Sequence, residues 1–463
     1  MFDVLSARNM LADEMVQRRE DGYDVSAFEE RVQHALKTGS EDECWQLVDA
    51  LANTQRRADW PYEEPSTLAD IEASLPAAPL LPTIRLDEAQ LRDRLQGAWL
   101  GRCAGCNLGK PVEGWTRASI REYLELTNSY PLDNYFIRLT PIPDGYTLWT
   151  PEIEETHADF DKLMGRNWEG TTRGNIAEMA RDDDIDYTIL SLYILETYGF
   201  DFHTEDVAQT WLTHLPFLDV YTAERAAYRN LVYGLHPPQT ASYRNPYREW
   251  IGAQIRADMY GYVSPGNPTK AARLAYKDAA LSHTQNGIYG EMWAAALLAA
   301  CFVVPDMPMA LEASLAQIPP HSRLVAAIRD VMAMHEQGMT WGQARDAMET
   351  RFYGTYNWVH TINNAVAVVA ALLWGEGDFT RTIGLAVQSG WDTDCNGATA
   401  GSAFGAMYGK EALPSYWIDP LHDSIRSAVS GFDNSKISEL AERTLRLVFP
   451  GQYVPQNGNK SGQ

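Results

Sequence analysis

Apolar side chains recur at intervals of three and four residues along most of the chain, which is the spacing of one face of an α-helix. Residues 1 to about 58 hold two or three such segments. One of them is AFEERVQHALKTG, for which Gly39 is the predicted end. The proline-rich stretch DWPYEEPSTLADIEASLPAAPLLPTIR follows, and its composition indicates a linker that runs over a surface. The pattern therefore predicts an N-terminal helical extension with a linker over residues 1–85.

The main body is predicted over residues 86–463 and is mostly helical in its pattern. Leu91, Leu95 and Trp99 fall on related faces of one segment. The stretches GEMWAAALLAACFVV and NNAVAVVAALLWGEG have the composition of alanine-rich core helices, and alternating β-branched runs are scarce. Residues 114–172 differ, because they mix Trp, Tyr, Pro and Gly in a loop-like order. We predict an all-α protein with one long functional loop in that region.

Two segments of the body carry glycine at every fourth position: Gly97, Gly101, Gly105 and Gly109, and then Gly397, Gly401, Gly405 and Gly409. Glycine at this spacing clears a strip along a helix, so that another backbone can approach closely. Such an approach offsets the cost of about 1 kcal/mol that each glycine brings to a helix. We predict that these segments form two closely packed helices in the core.

The composition of the chain argues against some classes of function. The 463 residues are 45% hydrophobic and 22% charged, as in ordinary globular proteins. The net charge of -24 repels nucleic acid and anionic membranes, so neither is an expected partner. The first residues lack the basic-then-apolar order of a secretory signal, and no apolar run reaches the ~20 residues of a membrane span. We expect a cytoplasmic protein and make no prediction of its oligomeric state.

The five cysteines do not form the framework of a disulfide-rich fold. Cys103 and Cys106 make one CxxC pair, but no second pair accompanies them. A lone pair of this kind is more often two small buried residues than a zinc or redox site. We therefore predict a packing role for both cysteines.

Two dense groups of aspartates are the strongest chemical signal. Asp182, Asp183 and Asp184 precede an apolar helical run, and Asp392 and Asp394 precede the second glycine segment. One acid at a helix start is a common cap, but adjacent carboxylates repel one another and are costly to bury without a cation. Oxygen-only groups of this kind suit Mg2+ or Mn2+. We predict that the two groups share a metal site.

Two other motifs overlap these aspartates. Asp182, Asp183 and Asp186 spell DDxxD, which in an all-α chain resembles class I terpenoid synthases, where Mg2+ holds a diphosphate. Those enzymes carry a second metal motif of Asn or Asp, Ser or Thr, and Glu, which DTDCNGAT does not match. The DTD segment also resembles the motif of haloacid-dehalogenase-like phosphatases. Those proteins need a strand before the motif and a βαβ pattern, which the chain lacks.

The chain resembles the ADP-ribosylglycohydrolases, which include the dinitrogenase-reductase-activating glycohydrolase, in four stretches that follow the family's order. GAWLGRCAGCNLGKPVE is similar to the family's opening glycine-rich helix that ends in Pro-x-Glu. DDDIDYT is similar to its Ser/Thr-Asp-Asp-Thr motif. The most specific stretch, GWDTDCNGATAGSAFGAMYG, is similar to its Gly-Asp-x-Asp-Thr-x-Gly-Ala signature. SHTQNGIYGEMWAAA is similar to a Thr-His before an alanine-rich helix.

The resemblance implies a compact orthogonal bundle of many helices that hydrolyses ADP-ribose at its anomeric carbon, with two Mg2+ ions between the motifs. It places Glu113 at the acid that reaches the ribose or the attacking water, and His283 near the substrate. Arg256, Asp258 and Asn267 lie around a turn whose Gly-Asn pair resembles a substrate loop of the family, and a plain turn is the open alternative. Asp183 and Asp184 count with Glu113 as catalytic. The metal-ligand positions are Asp182, Asp183, Asp184, Asp392, Asp394 and Cys395.

Three positions depart from the family pattern. Asp182 stands in place of a Ser or Thr, Cys395 in place of a Thr whose hydroxyl binds metal, and Cys106 in place of an Asp. Sulfur is a poor ligand for Mg2+. The added charge of Asp182 either compensates for the lost hydroxyl or favours Mn2+ as the bound ion.

These observations lead to a hypothesis of function. We expect a metal-dependent hydrolase that cleaves an N- or O-glycosidic bond to a ribosyl group. Its partner is expected to be an ADP-ribosylated protein or a ribosylated small molecule. Two alternatives stay open: a non-catalytic, crystallin-like or ligand-binding member of the same fold, and a DDxxD-type diphosphate enzyme. The aspartates Asp183, Asp184, Asp392 and Asp394, which fall on metal-ligand positions of the family, argue against the non-catalytic alternative.

Overall fold

α-Helices build the part of the chain that the computed structural model describes, which is residues 5–77, 79, 81, 85–139 and 168–449. In these ranges the only β-type pairings are isolated bridges. The all-α prediction is therefore confirmed. The helices are α1 (Ala7–Glu20), α2 (Glu29–Thr38), α3 (Glu41–Leu51), α4 (Leu68–Ser74), α5 (Glu88–Gly109), α6 (Arg117–Leu126), α7 (Asp183–Tyr198), α8 (Thr204–His214), α9 (Thr222–Val232), α10 (Gln239–Ser242), α11 (Asp258–Tyr262), α12 (Pro268–Ala279), α13 (Gln285–Cys301), α14 (Met307–Leu315), α15 (Arg323–Glu336), α16 (Trp341–Phe352), α17 (Thr361–Trp374), α18 (Phe379–Gln388), α19 (Thr393–Tyr408), α20 (Ser415–Ile418) and α21 (Ile437–Val448).

The two alanine-rich segments form the central helices α13 and α17. Both are buried on almost every side, as expected for helices that are apolar all round. Among the described residues, no helix combines the length and the apolar composition that crossing a membrane requires.

The region predicted as one long loop is helical in part. α6 lies inside it, with Thr116 as its N-cap, whose side chain accepts a hydrogen bond from the Ser119 amide. The helix has the sequence RASIREYLEL and packs Ile120 and Leu124 against the core. This amphipathic pattern is sufficient for a helix although the composition around it is typical of a loop. The remainder of the predicted loop, residues 140–167, lies outside the described residues.

The N-terminal extension holds three helices before the proline-rich stretch, as predicted. Gly39 is the C-cap of α2, where the helix was expected to end. α1, α2 and α3 enclose a small apolar core of their own, which includes Leu11 and Leu47. The predicted linker contains one short helix, α4, because Thr67 caps it and Ile71 is fully buried.

Buried charges attach the extension to the body. Arg323 donates hydrogen bonds to Glu64 and Asp21 of the extension and to Glu249 of the body, at 2.8 to 3.2 Å. Arg248 bonds Asp21 as well, at 3.0 Å. All five side chains are less than one-tenth exposed. Charges buried in this way are stable only while each has its partner, so the extension and the body depend on each other. The predicted boundary near residue 86 stays a prediction.

The first glycine segment forms the C-terminal part of α5, and the second forms the larger part of α19; the two helices cross in antiparallel directions. A methyl group built on Gly101 or on Gly401 would lie closer than 3.0 Å to the backbone of the other residue. Gly105 and Gly397 stand in the same relation. The prediction of two closely packed glycine-lined helices is confirmed.

This crossing brings the end of α5 to the start of α19. The Thr393 hydroxyl donates a hydrogen bond of 2.8 Å to the Gly109 carbonyl. Lys110 and Glu113, which follow α5, therefore meet Asp392 and Asp394, which begin α19.

Replacing Gly401 by alanine should reduce the free energy of unfolding by roughly 1–3 kcal/mol, because the new methyl group meets the Gly101 backbone, which cannot move aside alone. The matched control is Gly342→Ala in α16, where a Cβ meets nothing within 4 Å. That variant should gain up to about 1 kcal/mol from helix propensity. Urea denaturation measures both. Equal effects would contradict the close crossing.

Replacing Arg323 by alanine should cost roughly 3–5 kcal/mol, because Glu64, Asp21 and Glu249 would lose a buried counter-charge. It should also speed amide hydrogen exchange in α1. Arg329→Ala is the control: it removes an ion pair with Glu312 whose side chains are 48% and 47% exposed, which should cost roughly 0–1 kcal/mol. A similar, small loss in both variants would refute the attachment by buried charge.

Candidate metal centre

The first acid group lies at the start of α7, where the sequence favours a cap. Asp182 is the N-cap, and its Oδ1 accepts a hydrogen bond from the Asp184 amide at 3.2 Å. Its other oxygen, Oδ2, pairs with the Lys110 ammonium. Burial opposes ionisation of Asp182, but Lys110, Arg181 and the Asp184 amide together hold the pKa of this carboxyl below its usual range. Asp182 is therefore an anion with a dedicated cation.

Asp184 points into the interior and is held from two sides. Arg102, fully buried in α5, lies with its Nη2 at 3.3 Å from Asp184 Oδ1, and it donates to the Asp184 carbonyl at 2.8 Å. The Cys395 thiol donates to Asp184 Oδ2 at 3.2 Å. The other arm of Arg102 donates to Asp258 Oδ2 at 2.8 Å. The orientation of Asp184 is thus fixed by residues from two helices that are distant in sequence.

The second acid group lies at the start of α19. Asp392 occupies the N-cap position, but its side chain makes no capping bond. Donor atoms of Asp392, Asp394 and Glu113 lie within 4.8 Å of one another. The Oδ1 atoms of Asp392 and Asp394 are buried and accept no hydrogen bond. Buried carboxylate oxygens without partners are costly, so these two atoms need a partner that the described residues do not supply.

The two acid groups meet through Asp184 and Asp394. Their carboxylate oxygens and the Cys395 sulfur lie within 4.8 Å of one another, and donor atoms of Cys106, Asp182 and Asp184 form a third group of the same size. Such separations allow shared cations. The structure thus brings Asp184 and Asp394 of the two acid groups together, and the shared metal site stays a prediction.

The electrostatics of the centre are unbalanced. Burial raises the pKa of Asp392 well above its usual range, and the charges of Asp394 and Glu113 raise it further. Burial and then Asp394 raise the pKa of Glu113 in the same direction. Among the described residues, Lys110 pairs with Asp182 and Arg102 with Asp184 and Asp258. Asp392 and Asp394, whose Oδ1 atoms have no hydrogen-bond partner among the described residues, are therefore stabilised by a proton or a metal cation.

The donor atoms indicate which cations fit. The group of Glu113, Asp392 and Asp394 is all oxygen, which suits Mg2+ or Mn2+. The two groups that include Cys106 or Cys395 suit these hard cations poorly. The centre therefore has one all-oxygen set of donors for a hard cation. Its other two donor sets contain sulfur and do not suit such a cation.

The remaining predicted site residues lie outside the three donor groups. Asp183 is partly exposed; burial and then Asp182 raise its pKa, and Asp394 acts in the same direction. Asp258 reaches the centre only through Arg102, and it also accepts a bond of 3.1 Å from Tyr262. The roles of these two aspartates stay predictions.

The two other predicted substrate-binding residues have local partners. His283 is fully buried, with its Nδ1 at 2.8 Å from the Ser282 hydroxyl and its Nε2 at 3.9 Å from Glu224. Burial and then Arg256 lower its pKa. Asn267 is exposed and caps α12 by accepting a bond from the Lys270 amide at 3.0 Å. Their substrate-binding roles stay predictions.

Sequence reasoning missed three residues of the centre. Lys110 and Arg102 supply its positive charge. Asn364, fully buried in α17, accepts hydrogen bonds from the Asp392 amide at 3.1 Å and from the Asn396 side chain at 2.8 Å. Two features of the sequence could have indicated these residues. Arg102 is a basic residue inside a glycine-rich helix, and Asn364 is an asparagine inside an apolar helix; both are unusual.

Known proteins offer three comparisons. No curated protein matches the chain. Among solved structures, a chain described as an ADP-ribosylglycohydrolase-related protein complex is similar at 19% identity and a TM-score of 0.46, over 78% of this chain and 99% of that one. The family model for ADP-ribosylglycohydrolase matches residues 87–453. Because that match spans most of the chain, the protein belongs to the ADP-ribosylglycohydrolase family.

Proposed function

We propose that the protein is a metal-dependent hydrolase that cleaves an N- or O-glycosidic bond to a ribosyl group. One observation carries the proposal. Carboxylates of Glu113, Asp392 and Asp394 converge, and the buried Oδ1 atoms of Asp392 and Asp394 have no hydrogen-bond partner in the part of the chain that the structure describes. Membership of a glycohydrolase family supports the class of reaction. The substrate is then an ADP-ribosylated protein or a ribosylated small molecule, met in the cytoplasm.

The proposed cofactor is Mg2+, with Mn2+ as the substitute; of the two ions that the family resemblance implies, the all-oxygen donors fit one. Asp392, Asp394 and Glu113 would hold the hard cation, and Asp182, Asp183, Asp184 and Cys395 are the further proposed ligands. A bound divalent cation supplies Lewis-acid polarisation of the ribose hydroxyls and of water.

The chain's own residues account for the remaining steps. Glu113 accepts a proton from the attacking water, whose oxygen forms the new bond to the anomeric carbon. The bond from that carbon to the nitrogen or oxygen of the aglycone breaks, and the aglycone leaves with its electron pair. The carboxylates of Asp183 and Asp184 stabilise the positive charge that develops at the anomeric carbon.

The diphosphate alternative conflicts with the third aspartate of its motif. Asp186 Oδ1 accepts hydrogen bonds from the Ser427 hydroxyl at 2.7 Å and the Ala428 amide at 3.0 Å. Its Oδ2 accepts from Arg181 at 2.8 Å. Both oxygens are thus occupied, so Asp186 is a structural anchor for the segment after α20. A DDxxD motif needs this carboxylate free to bind metal.

Asn364 is a positioning residue for the centre. Its Oδ1 holds the Asp392 amide, and its Nδ2 donates to the carbonyls of Trp358 and His360 at 2.8 and 2.9 Å. One side chain therefore ties the segment before α19 to the segment before α17. Residues that orient metal ligands in this way influence metal affinity as strongly as some ligands do.

Asp392→Asn should abolish ribosyl hydrolysis without unfolding the protein, because it removes one charge from a repulsive group. EDTA should abolish the wild-type activity, and Mg2+ or Mn2+ should restore it. The assay is release of free ADP-ribose or ribose from ribosylated protein and ribosylated small molecules. Asp378→Asn is the control, because Asp378 only caps α18 and asparagine caps equally well. Full activity after exhaustive metal removal would reject the proposal.

Asn364→Ala should weaken Mg2+ or Mn2+ binding about 10–100-fold, since Asp392 loses the bond that orients it. Calorimetric metal titration measures the change. Asn363→Ala is the matched control. The side-chain amide of Asn363, the residue before Asn364, donates to the Trp358 carbonyl at 3.3 Å and makes no bond to Asp392. If both variants bind metal equally well, Asn364 is not a positioning residue.

A further inference from the structure

The two cysteines that depart from the family pattern both lie close to Asp184. Cys395, in the first turn of α19, donates to Asp184 Oδ2 at 3.2 Å. Cys106, in the last turn of α5, forms a donor group with Asp182 and Asp184 within 4.8 Å. Both thiols face carboxylates, because the glycine crossing brings these ends of α5 and α19 together.

The two sulfur-bearing groups differ in how their charge is already balanced. In the Cys106 group, the Lys110 ammonium pairs with Asp182. In the Cys395 group, Arg102 pairs with Asp184, but Asp394 Oδ1 has no hydrogen-bond partner among the described residues, and Asp394 is 4% exposed. The Cys395 group is therefore the one with an unmet need for a cation.

Sulfur decides the class of that cation. Mg2+ is bound by oxygen ligands, whereas Zn2+ accepts cysteine sulfur at about 2.3 Å together with carboxylate oxygen at about 2.0–2.2 Å. Cys395 with Asp184 and Asp394 offers one sulfur and two carboxylates, a three-residue donor set that leaves a fourth position for water or substrate. This donor set disagrees with a second Mg2+ ion.

We propose that Cys395, Asp184 and Asp394 form a site for a thiophilic divalent cation of the Zn2+ class, beside the all-oxygen group of Glu113, Asp392 and Asp394. Binding breaks the S–H bond of Cys395, the proton leaves to solvent, and the sulfur keeps the electron pair that it donates to the metal. Arg102 orients Asp184 for this role. The inference rests on the proposed metal centre and assigns the chemistry of its second position.

The first test uses the wild-type protein loaded with one equivalent of Zn2+ after removal of other metals. X-ray absorption at the zinc edge should show a shell of sulfur at ~2.3 Å together with oxygen at ~2.0–2.2 Å. A shell of oxygen or nitrogen alone would overturn the proposal. This measurement needs no substrate. Absence of a sulfur shell would therefore contradict the zinc site but not the proposed hydrolase activity. Absence of hydrolase activity in the wild type would likewise not contradict an observed sulfur shell.

The second test assigns the sulfur. Titration with Co2+ should give a sulfur-to-metal charge-transfer absorption that Cys395→Ser abolishes and Cys103→Ser leaves intact. Cys103 is the matched control, because it is also fully buried in α5, one turn before Cys106, but belongs to none of the donor groups. Cys395→Ser should weaken Zn2+ binding at least about tenfold, because even substitutions of residues that only orient a ligand cause a loss of this size. The same substitution should weaken Mg2+ binding less.

Two outcomes of the titration would overturn the assignment: survival of the absorption in Cys395→Ser, or its loss in Cys106→Ser alone. Cys395→Thr, which restores the hydroxyl usual in the family, serves as the second variant if the serine form does not fold. It should bind Mg2+ more tightly and Zn2+ more weakly than the wild type. Unchanged preference between the two metals would reject the proposal.

Discussion

Contact between the backbones of α5 and α19 is the constraint on which the centre depends. The glycines of both helices leave no side chain between them, so carbonyl groups lie where side chains would separate other helix pairs. Dispersion contacts at this separation are numerous, and they compensate for the weak helix propensity of glycine. The contact also fixes where both helices end or begin. Donor atoms from Glu113 and from Asp392 and Asp394 consequently lie within 4.8 Å of one another.

The charges in the centre oppose the stability that the crossing supplies. Asp184, Asp392 and Asp394 are each at most 4% exposed, and burying like charges together raises the free energy of the folded chain. Lys110 and Arg102 offset part of this repulsion. The remaining repulsion must be balanced by favourable free energy from other parts of the fold. Burial of the apolar helices α13 and α17 is suited to supply it. Unfavourable charge of this kind is typical of functional sites.

The sequence was sufficient for the features that depend on local pattern. Helical periodicity predicted α5, α13 and α17, and the fourfold glycine spacing predicted the crossing, because both signals lie within one segment. The short helix α4 and the helix α6 were missed, since proline and aromatic residues around them hide a brief amphipathic pattern. The partners of the acids could not be predicted: Arg102 precedes Asp184 by 82 residues and Asn364 precedes Asp392 by 28. Their pairing depends on how the helices cross, which spacing along the chain does not encode.

The N-terminal extension is joined to the same network that orients the centre. The Nε2 atom of His360 lies 3.8 Å from Glu249 and 3.9 Å from Glu20, the last residue of α1. His360 is also the N-cap of α17 and accepts, through its carbonyl, a hydrogen bond from Asn364. A chain cut back to the part that matches the family would thus leave buried arginines without their carboxylates. It would also loosen the first turn of α17. The extension is therefore packed as an internal part of the described structure, and loss of its contacts would reach Asn364 and, through it, the Asp392 amide.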